Sequence, residues 1–390
     1  MNKLLHRINN NYKIIEIVSY TFIFLLSLRI IYKQILFGPD YKIHIDIINQ
    51  FLYHKFYIPH PGFHIIIHIL SKITALPYNQ ITTIFMALVI VVTIKITEII
   101  LNTTPKITEN RVLILFVAIA INITIAMYAP FFSIYMYLGQ WSPTIWHSPT
   151  FSLLKPFALW GFFSLLFIIN DNKKSTTQYL FLTSIILALG SLIKPSFIIC
   201  LIPAVSLYLL FFRWKQLKLY FKIAIVFLPS ILVLLFQFFE TYRIKETSSY
   251  FHDKIIFTWF GVMKTYSTNL FVSFILVIGF PLCVLLFNYK KIKGNTQLLL
   301  SWILVIVSYL ISGFLAEQEK FKLGAFIFSF EICLFILYVF SLIEFLRWFN
   351  DIKQNKIKIF ITTIIFSYHL ISGLIYLFGI LKYGSCIYVQ

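Results

Sequence analysis

The sequence predicts an all-α, polytopic integral membrane protein, and three observations support this fold class. The chain of 390 residues is 59% hydrophobic but only 12% charged, whereas soluble globular domains carry about 25% charged residues. Apolar stretches of about 20 residues, the length that crosses a bilayer as a helix, recur along the whole sequence. Polar stretches are too short for a separate soluble domain, so we interpret residues 1–390 as a single transmembrane domain.

About eleven apolar stretches are candidate transmembrane helices. The boundary between the fifth and the sixth depends on Lys194-Pro195 alone, because proline disfavours helix at the preceding residue. One long kinked helix across this point is the alternative, and it would invert every later segment. The expected spans are 14–36, 79–101, 110–129, 151–170, 177–193, 195–212, 222–239, 268–288, 297–314, 324–346 and 357–380.

The basic residues orient these spans. Runs such as RWKQLKLYFK (213–222) and NYKKIKGN (288–295) fall on the same side as the N-terminus if the chain crosses the membrane eleven times. Cytoplasmic loops are enriched in Lys and Arg, so we expect a cytoplasmic N-terminus and a location in the plasma membrane. The same enrichment explains the net charge of +19 without nucleic acid as a partner. A single helix over 177–212 would place these runs outside, and this favours two helices.

Two segments on the predicted outer side carry most of the polar chemistry. The first outer loop, 37–78, contains two stretches that mix apolar and polar residues at helical spacing, IDIINQFLYHKFY and HPGFHIIIHILSKI. Such patterns are typical of amphipathic helices that lie in the membrane interface. The second outer loop, 130–150, places hydroxyl and amide side chains beside proline and glycine. Irregular backbone at membrane depth is tolerated where it lines a cavity, so we expect a cavity there.

Asp40 directly follows the first span and is the first candidate catalytic residue. His44 lies four residues later and therefore on the same side of a helix, whereas Asp46, six residues later, would point elsewhere. A carboxylate beside a histidine can act as general base for a hydroxyl, with the histidine orienting it or binding phosphate. Asp40, His44 and Asp46 are thus the candidate catalytic residues. A solvated loop at the membrane boundary would also explain them.

Two lysines at span ends are candidates for binding an anion. Lys155 lies at the start of one span and Lys194 at the end of another, on the same predicted side. A lysine within the bilayer costs about 2.5–3.5 kcal/mol and usually has a partner or a function, unless it snorkels to the interface. A pair facing one cavity would suit a phosphate or diphosphate. Glu331 also falls inside a span, and the sequence does not identify its partner.

Three histidines, His60, His64 and His68, form a row at i, i+4 and i+8. Imidazoles at this spacing suit zinc, but no carboxylate accompanies them at ligand spacing, and contact with phosphate or lipid is the better interpretation. The sequence therefore indicates no cofactor and leaves a divalent metal open. The expected substrate-binding residues are Gln140, Trp146, His147, Lys155, Lys194, Glu317, His60 and His64.

This arrangement resembles the GT-C superfamily of membrane glycosyltransferases. The shared features are an aspartate after the first span, two interfacial helices in the same loop, about eleven spans and further polar residues on one face. The order Asp40, His44, HPGFH, GQWSPTIWHSPT with LLKPF, LIKPSF and LAEQ is similar to that of a bacterial branch of the superfamily. This chain lacks the adjacent acidic pair of that loop, since Asp40 and Asp46 are six residues apart. Metal dependence and the choice of base therefore stay open.

The resemblance implies a function. The donor would be a sugar linked to polyprenyl phosphate, and the acceptor a lipid, glycan or protein on the outer face of the membrane. Asp40 would be the catalytic base of an inverting displacement at the anomeric carbon. The outer lysines and histidines would contact the leaving phosphate. Membrane lipids would be the surrounding partners.

Three other functions are alternatives. A polymerase or ligase of lipid-linked glycans usually depends on arginines in large outer loops, and the predicted outer loops contain Arg243 alone. A flippase or transporter of lipid-linked sugars often shows internal repeats and ionisable residues near the bilayer midplane, and the sequence shows no repeat. A scaffold subunit would tolerate Asp40→Asn without functional loss.

Overall fold

Long apolar helices make up most of the protein in this computed structural model. The structure describes residues 12–52, 60–105, 107, 110–132, 141–170, 177–242, 254–319 and 321–384. The α-helices are α1 (Tyr12–Phe37), α2 (Pro39–Leu52), α3 (Gly62–Thr74), α4 (Tyr78–Thr103), α5 (Arg111–Ile121), α6 (Pro149–Ile169), α7 (Thr177–Ile193), α8 (Ser196–Phe212), α9 (Leu217–Tyr242), α10 (Gly261–Tyr266), α11 (Leu270–Asn288), α12 (Thr296–Phe314), α13 (Ile327–Arg347) and α14 (Ile352–Tyr383).

Short elements connect the later helices. The strands β1 (Ile255–Phe257) and β2 (Leu315–Glu317) form an antiparallel pair. Short 3-10 helices lie at Tyr289–Gly294, Phe321–Leu323 and Trp348–Asp351.

Seven of the described segments are long and apolar enough to cross a membrane. The last is a stretch of 63 residues that contains both α13 and α14. Because α7 and α8 have 17 residues each and α5 has 11, they fall short of the roughly 20 residues that a span needs. A multi-pass helical membrane protein is therefore confirmed, whereas the expected count of about eleven spans is not. The seven segments are Tyr12–Phe37, Tyr78–Thr103, Pro149–Ile169, Leu217–Glu240, Leu270–Gly294, Thr296–Phe314 and Phe321–Tyr383.

The expected span 110–129 is only half helical, because polar contacts end α5 at Ile121. The side chain of Asn122 donates to the carbonyl of Ala118 at 2.9 Å, within the last turn. The irregular backbone that follows is satisfied by neighbouring helices: the Ile125 N–H donates to the carbonyl of His369, and the Met127 N–H to that of Leu276. Non-helical backbone inside an apolar bundle is tolerated when protein groups satisfy its hydrogen bonds in this way.

Helix α13 lies at the centre of the bundle. It packs against α6, α8, α11 and α12, and nearly every residue from Ile327 to Leu346 is buried. A helix that is hydrophobic all round is one that other elements surround. By contrast, α1, α9 and α14 expose large apolar side chains such as Phe22, Phe221 and Phe360, as expected for helices that face lipid.

A charged network joins α1 to α4. Glu98, only 1% exposed, accepts hydrogen bonds from the hydroxyls of Tyr12 and Tyr20, the latter at 2.5 Å. Lys95 lies 2.9 Å from Glu98 and also pairs with Glu16. Because a buried carboxylate is costly unless it is paired and hydrogen-bonded, this network fixes α1 against α4.

The close contact at Gly373 on α14 provides a test of the packing. A Cβ atom added there would lie 1.9 Å from the carbonyl oxygen of Ile123, so we expect Gly373→Ala to destabilise the protein by about 1–3 kcal/mol through overpacking. The measurement is thermal unfolding of the purified protein in detergent. Gly294→Ala is the matched control, because a Cβ atom there meets nothing within 4 Å. Equal unfolding temperatures for the two variants would contradict this packing.

Candidate functional site

Two short helices follow α1, as predicted for the first outer loop. α2 begins at Pro39 and α3 at Gly62, and they pack against each other and against α6. At Gly62 a Cβ atom would lie only 3.0 Å from the backbone of Leu192 and Ile193, so α3 starts against the end of α7. This contact brings the first loop to the break at Lys194-Pro195, where the chain forms two helices as expected.

Asp40, in the first turn of α2, faces His147 from the segment before α6. Its Oδ2 atom lies 4.0 Å from His147 Nε2. The other ring nitrogen, Nδ1, is 3.1 Å from the hydroxyl of Tyr376 on α14, and that hydroxyl also accepts from the Trp146 N–H. The imidazole is therefore held between a carboxylate and a tyrosine. The Asp40 side chain is 36% exposed, which leaves it accessible to a substrate.

Lys194 lies at the same end of the bundle. Its ammonium group is 3.5 Å from the centre of the Phe328 ring, a cation–π contact, and 3.4 Å from the Thr150 hydroxyl. Burial lowers the pKa of Lys194 to about 8, against the opposing effect of Asp40, Glu331 and Glu317. With that pKa the side chain is mostly cationic at pH 7.

Glu331 and Lys155 extend this group of charges inward. The Glu331 carboxylate is buried on α13 and accepts the N–H of Ser142 at 3.3 Å. Lys155 on α6 lies 4.5 Å from the Phe335 ring centre and interacts electrostatically with Glu331, as does Lys194. The two lysines are thus the charged neighbours of Glu331 that the sequence did not identify, and among the described residues neither lies within ion-pair distance of its carboxylate.

A pair of histidines completes the site. His44 Nδ1 and His64 Nε2 are 3.0 Å apart, which requires that one ring donates and the other accepts. Burial lowers the pKa of both histidines, that of His64 to about 4, and for His44 the neighbouring His64, Lys194 and His60 lower it further. Burial also lowers the pKa of His147. These three imidazoles are therefore neutral near pH 7.

We refer to this group as the Asp40 cluster, defined as Asp40, His44, His64, His147, Lys155, Lys194 and Glu331. Six of its seven members are expected site residues from the sequence, and the seven come from four helices and two connecting segments. Three further candidates lie at its edge. His60 interacts electrostatically with His44, Glu317 at the end of β2 interacts with Lys194, and Trp146 is buried beside His147.

Other candidates are not brought into the cluster. Asp46 is exposed on α2, and no described contact joins it to Asp40. The expected row of three histidines is divided, because His68 hydrogen-bonds the Tyr78 hydroxyl at 2.9 Å instead. Gln140 falls outside the described residues. Within the described ranges, no group of three or more His, Cys, Asp or Glu residues could hold a metal ion.

Two residues of the site gave no signal in the sequence. Tyr376 and Phe328 are aromatic residues at or within apolar helices, where aromatic side chains are ordinary packing elements. Their contacts with His147 and Lys194 depend on how α14 and α13 pack. Whether an aromatic residue lies opposite a basic one can be seen only when the packing of the helices is known.

No protein-family model matches the sequence, and no curated protein matches it. The function must therefore be argued from the chemistry of the Asp40 cluster.

The histidine pair predicts a pH dependence of stability. Between about pH 6.5 and pH 4 the unfolded chain binds protons that the folded pair excludes, so the free energy of unfolding falls as the pH falls, by up to about 1.4 kcal/mol per pH unit for each histidine. We expect the thermal unfolding temperature to drop over this range, and to drop less in His64→Gln. Unfolding curves at several pH values measure both. An identical drop in the variant and the wild type would show that the pair does not contribute.

Proposed function

We propose that this protein is a membrane glycosyltransferase that transfers a sugar from a polyprenyl-phosphate-linked donor to a hydroxyl of a lipid, glycan or protein acceptor. The observation that carries this proposal is the meeting of an accessible carboxylate, Asp40, with an imidazole, His147, and a half-buried cation, Lys194. This combination supplies a proton acceptor and an anion-stabilising group at one end of a membrane helix bundle. A sugar phosphate reacting with a hydroxyl needs both.

Asp40 is the proposed general base. Its carboxylate takes the proton of the acceptor hydroxyl while that oxygen forms the new bond to the anomeric carbon. The bond between the anomeric carbon and the donor phosphate oxygen breaks, and its electron pair remains on the phosphate. His147, held by Tyr376, orients the Asp40 carboxylate by contact with its Oδ2 atom.

Lys194 is the proposed cation for the leaving phosphate. Among the described residues it has no ion-pair partner, and its ammonium group rests on the Phe328 ring and the Thr150 hydroxyl. A cation that is already desolvated and fixed stabilises developing negative charge without reorganisation. Lys155, which lies deeper and shares Glu331 with Lys194, supports the same positive region.

The sidedness of the membrane is part of this proposal. The basic segments 213–222 and 288–295 lie at the ends of helices away from the Asp40 cluster. From the positive-inside rule we infer that these ends are cytoplasmic, with the cluster on the outer face of the plasma membrane and the N-terminus in the cytoplasm. A lipid-linked donor would then reach Asp40 from the outer leaflet.

Asp40→Asn tests the base. We expect sugar transfer to fall by about 10²–10⁴-fold, because an amide cannot take the hydroxyl proton. The measurement is mass spectrometry of surface glycans and glycolipids in a deletion strain complemented with each variant at matched protein level. Asp46→Asn is the matched control and should restore the wild-type profile. If Asp40→Asn also restored the wild-type profile, Asp40 would not be the base, and a function in transport or assembly would be favoured.

Lys194→Gln tests the phosphate contact. We expect the initial rate at which the sugar unit appears after induction to fall by about 10²–10³-fold, since removal of one charge-stabilising group lowers the rate comparably in other enzymes. Lys194→Arg, which keeps the charge, should retain more activity. Lys322→Gln, at an exposed lysine, is the charge-matched control. If Lys194→Gln transferred sugar at the wild-type rate, Lys194 would have no role in stabilising the leaving group.

A further inference from the structure

A polar cavity of about 650 Å³ lies at the end of the bundle opposite the Asp40 cluster. Helix α13 runs from one to the other, with Glu331 in the cluster and Arg347 in the cavity wall. At about 1.5 Å per residue, roughly 24 Å of helix separates these two residues. The cavity is therefore distinct from the proposed catalytic site.

The cavity wall is rich in positive charge and in amide groups. Lys290 and Lys291 come from the turn after α11, and Arg347 comes from the end of α13, where it pairs with Glu344. Three cations thus face one carboxylate, and a net positive charge remains. The other polar lining residues are Asn170, Asn288, Asn295, Thr296 and Gln297.

Two buried donors in this wall have no hydrogen-bond partner among the described residues. They are the Nδ2 atom of Asn288 and the Nε atom of Arg347. An unsatisfied buried donor costs free energy that a ligand with oxygen acceptors would recover. Helix α12 also begins in the wall, at Thr296, and the first N–H groups of a helix favour an anion. The Asn295 side chain caps one of them, that of Leu298, at 3.1 Å.

We propose that this cavity binds a phosphate group, carried by a soluble phosphate compound or by an anionic lipid headgroup. Phosphate oxygens would accept from Lys290 and Lys291, and such charge-assisted hydrogen bonds are the strong ones. The volume falls within the range of about 300–1,000 Å³ that small-molecule sites occupy. This binding site goes beyond the proposed sugar transfer and does not depend on it.

A binding experiment tests the proposal on the full-length protein, with two probes that separate the sources of phosphate. Pyrophosphate is titrated in detergent, and phosphatidylglycerol is presented in nanodiscs, with phosphatidylcholine nanodiscs as reference. We expect Lys290→Gln/Lys291→Gln to bind the effective probe about tenfold more weakly than the wild type. The charge-matched control is Lys218→Gln/Lys293→Gln, because these exposed lysines do not line the cavity, and it should bind as the wild type does.

A second measurement needs no variant. Amine acylation of the wild-type protein, read by mass spectrometry, should slow at Lys290 and Lys291 when the probe is bound, and should be unchanged at Lys293. Protection by pyrophosphate would identify a soluble ligand, and protection by phosphatidylglycerol alone a lipid headgroup. Equal acylation of the three lysines with and without either probe would overturn the proposal, as would equal binding by the two double variants. Neither readout involves sugar transfer, so failure of the catalytic proposal would leave this result interpretable.

Discussion

The burial of helix α13 is the constraint on which the rest of the structure depends. A helix enclosed on every side cannot leave a carboxylate without partners, because desolvation of an unpaired charge costs several kcal/mol. Near one end of α13, Glu331 accepts a hydrogen bond from the Ser142 N–H and interacts electrostatically with two lysines. Near the other end, Glu344 forms an ion pair with Arg347. The charged residues of α13 are consequently concentrated at its two ends, with a continuous hydrophobic core between them.

The break between α7 and α8 shows how sequence chemistry creates the site. Pro195 cannot continue the hydrogen bonding of a preceding helix, so α7 ends at Ile193 and the next residue is released from helical geometry. That residue is Lys194, and the ring of Phe328 receives its ammonium group.

The sequence predicted the membrane class and the two short helices after the first span, and it assigned Asp40, His147 and Lys194 to the same predicted face of the membrane. These features follow from the length of the apolar stretches, from the spacing of residues along a helix and from the positions of proline, all of which act over a few neighbouring residues. It did not predict the early end of α5, because the hydrogen bonds that stabilise the irregular backbone after Ile121 come from α11 and α14. It also grouped His68 with His60 and His64. In the structure the His68 ring instead forms a hydrogen bond with Tyr78, which the turn before α4 brings near. Contacts between distant segments decided each of these differences.

The network around Glu98 has a consequence far from its own position. Helix α1 is held there near its start, by Tyr12, Glu16 and Tyr20, and it continues to Phe37, directly before the turn that carries Asp40. An α-helix is stiff along its axis, so the position of the turn that carries Asp40 is set roughly 25–40 Å away along α1, at about 1.5 Å per residue. The position of the proposed base relative to a lipid-borne substrate therefore depends on an ion pair at the opposite end of α1.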